Sequence, residues 1–174
     1  MELLKKLQSY HPTEGNETKM HTDFLSFIST YENCFERSLL TGHVTASALV
    51  VDPVHQKVLL LHHKKLGRWL QPGGHCDGNP DTLEVALTEV QEETGLAISV
   101  NEAPVFDVDI HRIPEHKGVP EHLHYDVRYL FEASSDQSPE QNHETNAVRW
   151  INIRDIENYT TEESILRMIR KLTF

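Results

Sequence analysis

The chain has 174 residues with 27 acidic and 16 basic side chains, a formal charge of -11, and 38% of it is hydrophobic. That apolar share is enough for the core of one domain, and the charge excludes a general nucleic-acid binder, which needs clustered Lys and Arg against phosphates. An acidic chain handles anionic phosphates only where a divalent cation or a few local basic groups screen the repulsion.

In chain order, Met1 to Tyr10 and His21 to Phe35 carry spaced apolar groups (Leu3, Leu4, Leu7; Phe24, Phe27, Ile28, Tyr31, Phe35) that predict helices with one buried face, separated by a polar loop from His11 to Thr18. Val44 to Val51 and Lys57 to Leu61 flank an Asp52-Pro53 turn signal and read as two adjacent strands. After a Gly/Pro-rich loop from Gln71 to Pro80, Asp81 to Thr94 places Leu83, Leu87, Val90 and Thr94 on one stripe, with Gly95 as the stop. Strands are expected at Ile98 to Val100, Val105 to Ile110, Leu123 to Glu132 and Ala147 to Ile153, with loops at Arg112 to Glu121 and Ser134 to His143. Glu162 to Leu172 closes the chain as an amphipathic helix with Ile165, Leu166 and Ile169 inward. Helices flanking a mixed set of strands indicate an α/β domain, here residues 42–174, with a helical N-terminal extension over residues 1–41. The N-terminal segment to Ser38 has three roles open to it: capping the site, forming a homodimer contact, or covering a sheet face.

Cys34 and Cys76 form neither a CxxC pair nor a dense disulfide framework, which fits a reducing compartment. Met1 to Gln8 lacks the apolar core and small-residue cleavage site of a secretion signal, and no apolar run of about 18 residues occurs. A cytoplasmic protein without membrane association is expected.

The chemistry concentrates in Gly73-Gly74-His75-Cys76-Asp77-Gly78-Asn79-Pro80 and the helix ending Thr88-Glu89-Val90-Gln91-Glu92-Glu93-Thr94-Gly95-Leu96. At about 100° per residue, Glu89 and Glu93 share a face with Glu92 to one side, all away from the apolar stripe. Packing like charges costs stability, and acids near a helix C-terminus oppose the macrodipole, so a hard cation at this end makes sense of them.

This segment resembles the Nudix box, a Gly, five residues, Glu, seven residues, then Arg-Glu-apolar-x-Glu-Glu-x-Gly-apolar. Aligned on Gly74, the chain supplies Glu89, Val90, Glu92, Glu93, Gly95 and Leu96, while Pro80 stands for the first Glu and Thr88 for the Arg. Trp69, Pro72 and Gly73 resemble the family's approach to the box. The resemblance implies a Nudix-type α/β/α sandwich with a mixed β-sheet. It also implies Mg²⁺ or Mn²⁺ held by Glu89, Glu92, Glu93 and the Gly74 carbonyl. The implied reaction is hydrolysis of a nucleoside diphosphate linked to another moiety, by water attacking a pyrophosphate phosphorus. Glu92, Glu93 and Glu144 are the candidate catalytic carboxylates, Glu144 resembling a downstream Glu kept by several members. Thr88 removes a charge-assisted hydrogen bond from the carboxylates, for which Arg68, Lys64 and Arg128 are candidate substitutes.

Strand alternation puts His122, His124, Asp126 and Arg128 on one polar face, and His111 is positioned to meet it across a hairpin. Such an imidazole and carboxylate cluster suits Mn, Zn or phosphate contact, and a face this polar is expected to stand open. The alternative is an exposed face with His124 and Asp126 simply paired. Lys64, Lys65 and Arg68 form a compact basic cluster suited to substrate phosphates or to plain solvation. Trp69 and Trp150 fit packing roles, and Cys76 a passive one. Two competing functions are a non-catalytic nucleotide sensor with a degenerate box, and an isopentenyl-diphosphate isomerase-like enzyme, whose cysteine and tryptophan motifs are not recognisable here.

Overall fold

The structure, a computed structural model, describes residues 1–172. In chain order it contains helix α1 (Glu2–Ser9), helix α2 (Gly15–Thr30), strands β1 (Gly42–Val51), β2 (Lys57–His63), β3 (Arg68–Leu70) and β4 (Gly73–His75), helix α3 (Thr82–Thr94), strands β5 (Asp107–Ile113), β6 (His122–Glu132) and β7 (Thr145–Asn152), a 3-10 turn (Ile153–Asn158) and helix α4 (Glu163–Leu172). No helix is long and apolar enough to cross a membrane among the described residues.

β1 is the spine of the sheet. It runs parallel to β6 over its whole length, from Gly42 against Leu123 to Val51 against Glu132, and β5 pairs antiparallel on the far side of β6. On its other edge β1 divides. Val50 and Val51 pair with Leu59 and Val58 of β2, whereas Thr45, Ala46 and Ser47 pair with His75, Gly74 and Gly73 of β4. β2 continues away from β1 with β3 on the same edge and β7 on the opposite one. The fork between β1 and β2 is filled by the Arg68 to His75 segment, locked where Ala48 N–H donates to the Pro72 carbonyl at 3.0 Å. This fork holds the two glycines that open the motif.

The two sheet faces bury different helices. Val44, Ala46, Ala48 and Val50 of β1 with Val127, Tyr129 and Phe131 of β6 pack under α1, α2 and α3, while Leu49, Val51, Val58, Leu60 and Ile151 pack under the 3-10 turn and α4. The result is the expected α/β/α sandwich with a mixed sheet. Of the roles open to the N-terminal segment, α2 takes that of covering a sheet face. Phe27 stacks on Tyr125 of β6, with ring centres 3.8 Å apart and planes 4° from parallel.

Several expected boundaries need correction. α2 starts at Gly15 rather than His21 because Glu17, fully buried, accepts the Thr13 N–H at 2.9 Å and the Glu14 N–H at 3.4 Å, and so caps the helix from within. It ends at Thr30, where Tyr31 turns extended, and not at Phe35. Ile98 to Val100 is not a strand: the two apolar side chains pack against the α1 to α3 cluster, but no strand lies beside their backbone. β4 lies within the stretch expected as loop, and β3 falls where no element is expected, since three-residue strands leave almost no periodicity to read.

Candidate active site

Asp81 caps α3 by accepting the Glu84 N–H at 3.1 Å, and Gly95 closes it in the left-handed conformation (φ 73°), its N–H on the Gln91 carbonyl at 2.9 Å. Leu83, Val85, Ala86 and Val90 are buried and fix the rotation of the helix, with α3 packed on β1 and β4. Glu89 and Glu93 are thereby turned to β4. Glu93, 8% exposed, accepts the Gly73 N–H at 2.9 Å, and Gly74 lies so close to Glu89 that a Cβ there would fall onto its carboxylate. Glu92 is exposed beside them.

Glu144 joins this group from the loop ahead of β7. Its N–H donates to Asn142 Oδ1 at 2.9 Å, and Asn142 Nδ2 donates to the Glu92 carbonyl at 3.3 Å, which docks the loop on the end of α3. The crowding is felt as charge. Burial, then Glu92 and Glu144, push the Glu89 carboxyl up to about 7; burial and then Glu89 push Glu93 to about 7 against the opposing Gly73 N–H. Four neighbouring carboxylates, two of them reluctant to ionise, are hard oxygen donors of the chemistry that a divalent cation such as Mg²⁺ or Mn²⁺ takes.

None of the three expected substitutes for the missing box Arg reaches the carboxylates. Arg68 pairs with Glu162 at 2.9 Å, Lys64 Nζ donates to the His143 carbonyl at 3.4 Å, and Arg128 is buried on the other side of the sheet. Thr88 turns its hydroxyl back to the Glu84 carbonyl at 2.9 Å. Instead Arg37, from the turn after α2, pairs with Asp77 and lends a weaker pull on Glu89. Sequence reasoning had no handle on Arg37, which lies forty residues from its partner.

The polar face of β6 is one face in the structure, but it is not open throughout. Arg128 is 2% exposed and spends its guanidinium on Asp126 (2.8 Å), Asp107 (3.4 Å) and Asp109 (3.3 Å). Asp126 also accepts from Thr45 at 3.0 Å and Ser47 at 2.8 Å. Arg167 and Lys171 of α4 close over Asp107, at 2.6 and 2.5 Å. The open, substrate-facing strand expected at Asp126 and Arg128 is therefore corrected to a buried ion network, stabilised because each carboxylate finds a cation. His124 pairs not with Asp126 but with other histidines: His43, His75, His111 and His122 surround it or each other with ring centres 4.8 to 5.3 Å apart. His43 was missed in the sequence, although the alternation His43, Thr45, Ser47 on β1 mirrors His124, Asp126, Arg128 on its parallel partner.

The two glycines give different expectations. Gly74→Ala displaces only the flexible end of Glu89, so turnover should fall at least tenfold with a small change in melting temperature. A Cβ on Gly73 meets the Ser47 backbone at 2.8 Å and the Ala46 carbonyl at 2.9 Å, so Gly73→Ala should lower the melting temperature as well. Thermal melts beside a turnover assay separate the two.

A loop and helix that gather acidic side chains at the fork of a mixed sheet define a Nudix fold. The chain belongs to the NUDIX domain family, whose model matches residues 41–172. It is 32% identical over 97 residues to the probable DHNTP pyrophosphohydrolase of Lactococcus lactis subsp. cremoris (strain MG1363), a match covering 55% of this chain and 57% of that protein. The chain thus spans little more than half the length of that relative. The MutT NUDIX hydrolase of Burkholderia pseudomallei superposes with a TM-score of 0.59 at 23% identity, over 75% of this chain and 97% of that one. The NUDIX domain of Shewanella oneidensis NrtR, complexed with ADP ribose, superposes with a TM-score of 0.59 at 18% identity, over 85% and 95%.

Proposed function

We propose that the protein is a Nudix pyrophosphohydrolase that cleaves the pyrophosphate bond of a nucleoside diphosphate linked to a further moiety, with Mg²⁺ or Mn²⁺ as cofactor. The observation that carries this reading is the convergence of Glu89, Glu92, Glu93 and Glu144 at the end of α3. Glu89, Glu92 and Glu93, with the Gly74 carbonyl, are the residues that would hold the cation. Bound there, a divalent ion would neutralise charge developing on the substrate phosphate and lower the pKa of the attacking water. Gly73 N–H orients Glu93. Glu144, half exposed and on a separate loop, is the candidate to take the proton from water, with Glu92 and Glu93 the alternatives. Lys64, whose backbone N–H donates to the Glu144 carbonyl at 2.8 Å, is the candidate to meet substrate phosphates, whereas Arg68 would first have to release Glu162.

Neither cysteine supports the isomerase-like alternative. Both are buried, and burial pushes both thiols up, away from the thiolate a catalytic cysteine requires. The test is phosphate release, coupled to a phosphatase, from nucleoside triphosphates, nucleotide sugars, ADP-ribose, dinucleoside polyphosphates and DHNTP, the last being the compound in the name of the Lactococcus lactis relative. Turnover of at least one compound that needs Mg²⁺ or Mn²⁺ and stops with EDTA is expected. Binding of a nucleotide without turnover of any would replace this reading with the sensor.

A further inference from the structure

A second cluster of donor atoms lies behind β4, and the proposed hydrolysis makes no use of it. Alternation along this strand sends its residues to opposite sides: Gly74 faces Glu89 of α3, and His75 enters the other face beside His43 of β1 and His124 of β6. One donor nitrogen from each of the three histidines lies within 4.8 Å of the others. His43 is 3% exposed, and neither of its ring nitrogens has a hydrogen-bond partner; Nε2 of His124 is likewise buried and unpartnered. The Leu39 carbonyl near His43 exerts an upward pull smaller than burial, without hydrogen-bond geometry. Buried polar groups in folded proteins are nearly always satisfied, so three unpartnered ring nitrogens, two on His43 and one on His124, in one cluster call for a ligand.

We propose that His43, His75 and His124 form a binding site for a transition-metal ion of the Zn²⁺ class, separate from the carboxylate site at Glu89, Glu92 and Glu93. Several observations favour a cation of this kind over a phosphate or a hard metal. The ring nitrogens are soft donors, which suit Zn²⁺, Co²⁺ or Ni²⁺ and not Mg²⁺. The rings crowd each other at 4.8 to 5.1 Å, so they cannot all carry protons, and of the charged groups around them Arg37 is already paired with Asp77 while Asp109 adds a carboxylate behind His111, a balance that gives an anion no free cation to meet among the described residues. Nitrogens bonded at about 2.0–2.1 Å around a tetrahedral ion stand about 3.3 Å apart, a contraction within reach of ring rotations.

Two further histidines border the three. His122 gives its Nδ1 to the Pro120 carbonyl at 2.8 Å, which leaves Nε2 as the lone-pair nitrogen, and its ring lies 5.0 Å from His43. It is the next donor outward, for the fourth position. His111 contacts Asp109 through Nδ1 at 3.1 Å and packs on His124 at 5.3 Å, a carboxylate-held imidazole at the rim. Because Gly74 and His75 are consecutive, an ion on the histidines would stiffen the strand that presents Gly73 and Gly74 to the catalytic helix.

The test titrates the whole purified protein, stripped of metal, with Zn²⁺ in excess Mg²⁺, and repeats it with Co²⁺ alone followed by visible absorption. One equivalent of Zn²⁺ retained against Mg²⁺ is expected, with an intense visible band in the Co²⁺ form. Affinity should drop more than about 100-fold in His43→Ala, His75→Ala and His124→Ala, since losing even an outer partner of a metal-bound histidine costs about 10–100-fold. It should survive in Glu92→Gln. Retention of Zn²⁺ by the histidine variants, its loss in Glu92→Gln, or displacement of Zn²⁺ by Mg²⁺ in the parent would overturn the proposal. If a histidine variant fails to fold, as judged by circular dichroism, the Co²⁺ spectrum of the parent decides: an absorption no stronger than that of the hydrated ion rejects the site.

Discussion

Glu93→Gln is expected to lower kcat/KM by about 10²–10⁴ while leaving nucleotide binding in place, the span typical of a catalytic carboxylate, whether Glu93 acts by holding the cation or as the alternative to Glu144 in taking the proton. Glutamine keeps an oxygen for the Gly73 N–H, so the loop geometry that Glu93 fixes at 2.9 Å should persist. The same variant should be more stable than the parent at high pH without metal. Glu93 ionises near 7 in the folded protein against 4.5 ordinarily, so the folded state keeps its proton longer. Between about pH 4.5 and 7 the unfolded chain binds fewer protons than the native one, and the parent loses stability as pH rises; above 7 the loss is complete. Removing the group should recover on the order of 1–3 kcal/mol at pH 8, the lower part of the range reflecting its coupling to Glu89. At pH 4 the gap should vanish. Denaturant titrations in EDTA at pH 4, 6 and 8 measure it, and saturating Mg²⁺ should restore the parent at pH 8. A gap that stays constant with pH would show that Glu93 does not titrate in this window.

Arg167→Met should be the most destabilising change outside the apolar core, by about 3–5 kcal/mol. Arg167 reaches Asp107 at 2.9 and 2.6 Å, Asp109 at 3.2 Å and the Val108 carbonyl at 2.9 Å, and is 4% exposed. Its loss strands two buried carboxylates that Arg128 and Lys171 cannot fully neutralise. Against a typical total of about 5–15 kcal/mol this is a large fraction, expected as a melting point lower by roughly 6–20 °C. The network also carries Glu17 of α2, which bonds Tyr10 and Lys171, so the N-terminal helices should loosen in the same transition. A variant that melts within 2 °C of the parent would place the strength of this packing elsewhere.

How much of this was legible in the sequence varies with physical cause. α3 was readable almost to the residue because three signals coincide there: an apolar stripe, an Asp cap and a Gly stop. The Glu spacing on it, and the resemblance it carries, led to the family. What escaped depends on contacts made across long stretches of chain. Nothing local marks Arg128 as buried, since its burial depends on α4 supplying Arg167 and Lys171 from the other end of the chain. His43 could be read only by aligning β1 against β6 in parallel, a pairing between residues about eighty apart. The start of α2 escaped because its first turn is polar and its satisfied group, Glu17, faces inward.

The parallel pairing of β1 with β6 bears on how the chain acquires its shape. Ten consecutive register pairs join segments far apart in sequence, and every one requires a long loop to close before any hydrogen bond forms. β1 leaves the ribosome long before its partner, with ten successive buried residues and one edge waiting. During that interval a bare, apolar strand edge is a template for wrong association, so refolding should be slow and its yield should fall with protein concentration.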